Sequence, residues 1–496
     1  MERTNDSHSI MKHAFAFFLI LLAFAARAAE PDRIPPNIVF VLADDLGWAD
    51  LGCYGSDFHE TPHLDRLAAE GIRFTDAYAA AAICSPTRAA ILTGKHPARL
   101  RFTIHREATQ NPPQNRPLIP PVCAEDVALD EVTIPEALGP AGYRSAHVGK
   151  WHISGPKQYP ENQGFEVNIG ALHWGAPPTF FYPYRGYYAN DPRNLRYVPD
   201  LEFGEPGEYL TDRLTTEAIR CLERINDGPF FLHLAYYSVH VPIEAKRERI
   251  ERFEKKLAAR RARGLPEPRH DYIEYAAMLS HLDENVGRLL EALERLGVAD
   301  HTVIVFTSDN GGFEGLEKSW VPDGTDNHPL RSAKGSHYEG GLRVPLIVRW
   351  PGIAPSGTTC AEPVSSIDFY PTLLEIAGVS GDDRHNASID GVSLLPLIRD
   401  PSQALPARDL FFHYPHYHAL TPPVSTIRSG NWKLIDYHEG DAELYHLKKD
   451  LSEMTNLGNR LPEKVDELRG KLDAWRRSID AQMPKPNANF PEGNRR

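Results

Sequence analysis

The chain has 496 residues, a formal net charge of −13, 42% hydrophobic and 24% charged residues. That is the profile of a globular protein with room for a large core and more than one domain. The acidic balance argues against nucleic acid as a partner, but not against a small anion, because a pocket can be locally basic.

Lys12 and His13 precede an apolar run from Ala14 to Ala26, and Ala26-Arg27-Ala28 offers an A-x-A cleavage site. Residues 1–28 are therefore predicted to be a signal peptide, since the run is too short to span a bilayer comfortably. No Cys follows it, so no lipid anchor is expected. The mature protein is expected to be periplasmic or secreted, with no stable membrane insertion after signal removal. The five cysteines, Cys53, Cys84, Cys123, Cys221 and Cys360, form no C-x-x-C pair. In an exported protein an odd number leaves at least one thiol unpaired or modified, and Cys84 is the candidate.

Asn37 to Leu42 is a continuous apolar run that reads as a buried parallel strand, and it ends in Asp44-Asp45. Two adjacent acids at a strand end are costly unless something positive sits between them. Glu60 to Glu70 and Val132 to Ala141 read as short crossover helices. Between them, Ala82 to Gly94 spells another short helix, with Ser85 as N-cap, Pro86 as first helical residue and Gly94 as stop. Cys84 then lies just ahead of a helix N-terminus, where free N–H groups favour negative charge and lower a thiol pKa. Arg88 follows one turn later. Three residues separate Cys84 from Arg88, which excludes the tyrosine-phosphatase loop, where five are needed.

The strand-then-polar pattern recurs three times. Tyr143 to Val148 precedes Gly149-Lys150-Trp151-His152. Pro229 to Tyr237 precedes Ser238-Val239-His240. Thr302 to Thr307 precedes Ser308-Asp309-Asn310-Gly311-Gly312. If these strands are parallel, all four C-terminal ends share one rim, where ligands bind in α/β sheets. Lys246 to Arg263 alternates charge and reads as a solvated helix face. Asp271 to Leu296 carries apolar residues at helical spacing. Ser332 to Gly341 is a Gly-rich polar segment in which Lys334 could reach an anion; a strand (Val344 to Arg349) and a helix beginning at Pro371 follow. From about Leu405 the character changes to an aromatic and His cluster, the short strands Ser425 to Arg428 and Trp432 to Tyr437, and a final helix from Pro462 to Trp475. The prediction is an α/β fold with a large, mostly parallel sheet flanked by helices over residues 35–400, a smaller α+β subdomain over 405–480, and a polar tail over 484–496.

Asp44, Asp45, Asp309 and Asn310 are all oxygen donors, which suits a hard cation: Ca²⁺ better than Zn²⁺, with Mg²⁺ open. Arg88, Lys150, Lys334, His152 and His240 would surround it with positive charge and proton donors. Such a site calls for a small, highly charged anion such as a sulfate or phosphate ester.

Cys84-Ser85-Pro86-Thr87-Arg88 with Leu92-Thr93-Gly94 resembles the signature of the type I sulfatases, C-x-P-[ST]-R-x-x-x-L-T-G. Gly149 to His152 resembles that family's G-K-W-H segment, Thr307 to Gly311 its second metal segment, and Glu443 to Leu447 with Glu453 and Asn456-Leu457 its C-terminal pattern. The likeness spans about residues 35 to 475. It departs at Val239, where Pro often precedes the His, and at Gln163 to Glu166, which replaces H-G-F-D. The resemblance implies an alkaline-phosphatase-like fold and a hydrolase of sulfuric esters. It implies that Cys84 becomes formylglycine through a maturation enzyme and, as its hydrate, attacks sulfur with its oxygen near the metal. Asp44, Asp45, Asp309 and Asn310 would hold Ca²⁺; Arg88 and Lys150 would position the hydrate. His240 with Lys334 would protonate the leaving oxygen, and His152 would take a proton as sulfate departs. The expected substrate is a sulfated saccharide, cleaved in exo fashion, with His173, Trp174, Tyr182, Tyr184, His413, His416 and His418 suited to sugar hydroxyls and faces. The competing readings are a phosphodiesterase or phosphonate monoester hydrolase of the same superfamily, and a non-catalytic sugar-binding relative.

Overall fold

The computed structural model describes residues 35–109, 112–315 and 324–491. The predicted signal peptide, and residues 492–496 of the predicted tail, lie outside them.

Every residue of strand β1 (Asn37–Ala43) is buried, as a strand covered on both faces requires. It sits inside a nine-stranded sheet with β2 (Ile72–Tyr78), β3 (Arg144–Gly149), β4 (Val167–Ile169), β5 (Phe230–Ala235), β6 (Thr302–Ser308), β7 (Arg343–Arg349), β8 (Thr358–Cys360) and β9 (Val364–Ser365). The order across the sheet is β8-β2-β7-β6-β1-β5-β3-β4, with β9 also beside β2. Strand β1 runs parallel to β5 and β6, and β3 runs parallel to β5 and β4. Only β7 is antiparallel to its neighbours, so its start lies at the rim where the others end. The register pairs Leu42 and Gly149 with Ala235, and Ala43 with Ser308. The C-terminal ends of β1, β3, β5 and β6 are therefore level.

Alternation along β1 divides the core in two. Val39 and Val41 face the helices α1 (Pro62–Glu70), α3 (Leu210–Ile225) and α5 (Ile273–Arg295), while Ile38, Phe40 and Leu42 face α2 (Cys84–Thr93) and α6 (Phe369–Ala377). The charge-dense helix α4 (Arg247–Ala262) buries only Phe253 and Leu257, in keeping with a solvated face.

Helix α2 begins two residues earlier than the sequence reading placed it. Ile83, extended at φ −141°, is the N-cap, and Cys84 is the first helical residue. Ser85 does not cap: its hydroxyl is buried without a hydrogen-bond partner. Thr87 ties down the incoming loop instead, its Oγ1 accepting from the Ala81 N–H (3.1 Å) and donating to the Ala81 carbonyl (3.0 Å). Pro86 fits because the first-turn N–H groups have no intrahelical acceptor. Helix α3 and strand β2 had no counterpart in the sequence reading.

A second, four-stranded antiparallel sheet holds β10 (Asp409–Tyr414), β11 (Val424–Ser429), β12 (Trp432–Tyr437) and β13 (Glu443–His446) in sequential order. Helix α7 (Pro462–Ser478) covers it, seating Val465, Leu468 and Leu472 on Ile427, Leu434 and Leu444. Buried charges fasten the two sheets. Arg428 on β11 reaches Asp76 on β2 at 2.8 Å, and Lys433 on β12 pairs with both Glu339 and Glu453 at 2.8 Å. The beginning of the polar tail is engaged: Lys485–Pro486 pairs with Leu118–Ile119, and Asn487 Nδ2 donates to the carbonyls of Gln114 and Arg116. No cysteine is in a disulfide, and among the described residues no helix is long and apolar enough to cross a membrane.

Candidate active site

Backbone hydrogen bonds lace the strand-end loops together. The Asp44 N–H donates to the Ser238 carbonyl (2.9 Å), Val239 N–H to Asp44 (2.7 Å), Lys150 N–H to Ala235 (2.7 Å) and Asp309 N–H to Ala43 (3.2 Å). The Gly-rich segment joins through Lys334 N–H to Gly312 (3.0 Å) and Gly335 N–H to Ala82, two residues before Cys84 (2.7 Å). Gly149 makes the approach possible: at φ +104°, a Cβ there would stand 2.0 Å from the Ala235 oxygen. Asp45 and His152 hold left-handed backbones at φ 61° and 62°, which costs about 1–2 kcal/mol each. Such strain is kept where side-chain direction matters.

The rim thus gathers Asp44, Asp45, Arg88, Lys150, Asp309, Asn310, Lys334 and His240 into a network of short contacts. Lys150 Nζ donates to Asp44 Oδ2 at 2.7 Å. Lys334 Nζ lies 2.6 Å from Asp45 Oδ1, and His240 Nε2 lies 3.6 Å from Asp45 Oδ2. Arg88 Nε donates to Asp309 Oδ2 (2.8 Å) and its NH1 to the Lys150 carbonyl (2.9 Å). The Arg88 NH2 is buried without an aligned acceptor, although Asp309 Oδ2 lies 2.8 Å away. Asn310 Nδ2 donates to Asp45 Oδ1 at 2.8 Å, leaving the Asn310 Oδ1 buried and unpartnered, as is the Asp44 Oδ1.

Three buried carboxylates this close repel one another. Burial pushes the Asp44 carboxyl well above the usual range, with Asp309 and Asp45 adding to the push and Lys150 opposing it. Burial also works against Asp45, but Lys334, His240 and Lys150 outweigh it and hold Asp45 below the usual range. Oxygen donors of this kind, two of them unsatisfied, fit a hard divalent cation. Asp44, Asp45 and His240 offer ligand atoms within 4.8 Å of one another. The imidazole reaches the acids because β5 delivers His240 beside the end of β1.

Cys84 Sγ lies 3.3 Å from His152 Nδ1. Burial alone would raise its thiol; Lys150, His152 and Lys334 outweigh burial and bring it down to about 6. His240 is pushed down to about 3, by burial first and then by Lys334, so it is neutral, whereas burial of Lys334 is outweighed by Asp45 and its ammonium is held.

Sequence reasoning missed two residues here. Glu107 Oε2 stands 3.3 Å from His152 Nε2, so the imidazole bridges Cys84 and a carboxylate. His105 packs beside the same ring, centroids 6.2 Å apart. Both lie on a loop and short turn with no motif, and only the fold brings them in. Of the residues considered for sugar contact, His173 and His418 stand in the electrostatic reach of His152 and Lys334 respectively. Tyr184, His413 and His416 are core residues instead. Tyr184 donates to Glu208 (2.7 Å), His413 bonds Ser425 (2.7 Å) and His416 bonds Thr103 (2.8 Å). Tyr182 lines a separate cavity with Phe203, Glu208 and Arg213.

A doubly covered, mostly parallel sheet with buried carboxylates and cations on its rim and an acidified thiol on the first turn of a helix is the arrangement of the alkaline-phosphatase-like class. The family model described as sulfatase matches residues 36–379, and that described as N-sulphoglucosamine sulphohydrolase, C-terminal, matches 333–478. A sulfatase of Formosa agariphila is 34% identical over 93% of this chain and 92% of its own length. Human arylsulfatase A is 32% identical over 94% of this chain and 92% of its own. A solved structure described as Ps i-CgsB in complex with k-i-k-neocarrahexaose superposes with a TM-score of 0.71 at 29% identity, covering 92% of this chain and 95% of that one. The chain belongs to the sulfatase family and is a sulfuric ester hydrolase.

Proposed function

We propose that the protein removes sulfate from a sulfated saccharide, with residue 84 acting as formylglycine beside a Ca²⁺ ion. The observation that carries this reading is the position of Cys84. It is the first residue of α2, in contact with His152, in the field of Lys150 and Lys334, on a rim where the buried Asp44 Oδ1 and Asn310 Oδ1 have no hydrogen-bond partner. The saccharide enters by analogy with the carrahexaose complex above.

Asp44, Asp45, Asp309 and Asn310 would hold the ion, which would neutralise their charge and polarise a sulfate oxygen. A hydrated aldehyde at position 84 supplies one hydroxyl to attack sulfur and a second through which sulfate is expelled. The remaining work falls to side chains. Arg88, anchored on Asp309 and the Lys150 carbonyl, presents its unsatisfied NH2 to the anion. Lys150 donates to Asp44, opposing the rise that burial imposes on that carboxyl, and adds positive charge at residue 84. Lys334 carries a proton in the free site and His240 does not; an entering sulfate ester adds negative charge that favours protonating His240. Either can deliver a proton to the departing sugar oxygen. His152 Nδ1, facing residue 84, accepts the proton of the second hydroxyl as sulfate leaves, with Glu107 supporting the imidazolium through Nε2.

The reading is tested by peptide mass spectrometry of Cys84 in protein from its native host, paired with a panel of sulfated mono- and oligosaccharides, aryl sulfates and matched phosphate esters. Conversion of Cys84 and sulfate release from saccharides are expected. An unaltered thiol favours the sugar-binding relative, faster turnover of phosphate esters favours the phosphodiesterase, and turnover of aryl sulfates alone refutes the saccharide substrate.

A further inference from the structure

One wall of the site is built by His173–Ala176 and by a two-stranded ribbon, Arg185–Tyr187 paired with Leu195–Tyr197. Gly175 sits against the imidazole of His152: a Cβ there would be 2.4 Å from Cε1 and 2.8 Å from either ring nitrogen. The next residue, Ala176, accepts through its carbonyl from Arg196 NH1 at 3.4 Å. Arg196 is thus one residue removed from the wall that touches His152. Its Nε donates to Asn194 Oδ1 (3.0 Å), and its guanidinium lies 3.8 Å from the centre of the Tyr188 ring. Tyr188 in turn lies within the electrostatic reach of Lys334, Asp45 and Asp44.

Arg196 is only 9% exposed. Every other buried cation of the site has a carboxylate in contact: Lys150 has Asp44, Lys334 has Asp45, Arg88 has Asp309. Arg196 has none within ion-pair distance among the described residues; a carbonyl, an amide and an aromatic face brace it instead. Burying a guanidinium without a counter-charge is expensive, and burial does lower its pKa. Neutral braces fix the planar donor fork while leaving its charge uncompensated, the arrangement suited to binding an anion. Trp174 and Tyr197, rings 5.3 Å apart edge to face, stand alongside as apolar surfaces for a sugar.

We propose that Arg196 is the specificity residue of a second anion subsite, which takes an additional sulfate or carboxylate group on the same saccharide that carries the scissile sulfate. The proposal rests on the saccharide sulfatase reading above and narrows it to multiply anionic sugars. The test compares kcat/KM for a monosulfated sugar, the same sugar with a second sulfate, and the same sugar linked to a uronate, in the wild type, Arg196→Gln and Arg196→Lys. The wild type is expected to prefer one doubly anionic substrate by about tenfold, the size of one charge-assisted contact. Arg196→Gln should abolish that preference, mostly through KM, and Arg196→Lys should restore part of it. Asn194→Ala, which loosens the brace without removing charge, should give a smaller loss in the same direction and guards against a misfolded Gln variant. Whether the second sulfate or the uronate earns the preference assigns the group. Sulfate release with no preference in the wild type, or a preference that survives Arg196→Gln, overturns the subsite and leaves the sulfatase reading intact. Failure to release sulfate from any saccharide overturns both.

Discussion

At the scale of single residues, the proposed chemistry turns on His152, whose two nitrogens face different partners 3.3 Å away on either side. Removing the charge of Glu107 leaves the ring in place but takes away support for its protonated form. Glu107→Gln should lower kcat by about tenfold with little change in KM, and Glu107→Asp should recover part of it. Steady-state kinetics on an aryl sulfate checks this; an equal loss in KM would assign Glu107 to substrate binding instead. Cys84 offers a second test, in protein produced without maturation. Its thiol, brought down to about 6, is ionised at pH 7, whereas Cys53 and Cys221 are pushed up to about 12 and 11, by burial first. Iodoacetamide labelling followed by peptide mapping should mark Cys84 first, and equal labelling of the three would contradict the electrostatic account.

At the scale of elements, the junction of the two sheets is held by two glutamates sharing one lysine. Burial pushes Glu453 up to about 7 in spite of Lys433. Burial also opposes the charge of Glu339, but Lys433, Arg343 and Arg428 outweigh it and hold Glu339 at about 2. The signs are opposite. Between the ordinary glutamate value of 4.5 and about 7, the folded protein keeps a proton on Glu453 that the unfolded chain has lost, so stability falls as pH rises. Glu339 contributes stability above 4.5 that is lost as pH falls toward 2. Glu453→Gln should therefore gain in thermal midpoint relative to the wild type between pH 5 and about pH 8; a difference that does not change with pH would remove Glu453 from the account. Lys433→Met strands both carboxylates and should destabilise by about 3–5 kcal/mol in denaturant unfolding. The sequence reading found β12 without error and β11 within one residue at each end, because each is a short run rich in β-formers, while β13 was read as no more than a short segment. It passed over β2, whose run I-R-F-T-D-A-Y carries Arg73 for a hydrogen bond to the Cys53 carbonyl and Asp76 for ion pairs with Arg343 and Arg428, partners that exist only once distant chain arrives.

For the whole molecule, the rim sets three buried carboxylates against one another, a repulsion that the proposed cation would relieve. A ligand that binds only the folded state stabilises it by mass action, about 2.7 kcal/mol at a hundred times its dissociation constant. Thermal unfolding should therefore shift upward with Ca²⁺ and downward after chelation, and the shift should vanish in Asp309→Asn more than in Glu314→Gln. No shift with Ca²⁺ but one with Mg²⁺ would change the ion and keep the site.

The sequence by itself determined which side chains the strand ends deliver to the rim. Each strand that feeds the rim is a local apolar run, and each polar tripeptide follows it directly, so Asp44, Lys150, His240 and Asp309 could be picked out from neighbours a few residues away. The likeness to the sulfatase signature rests on the same short stretches. Only the tertiary structure decided what surrounds those groups: Glu107 and His105 beside His152, His240 among the carboxylates, Arg196 braced behind Gly175, and the burial of Tyr184, His413 and His416. These depend on contacts between residues far apart in sequence, where side-chain type says nothing about direction, and on desolvation, which exists only once the chain has closed around the site.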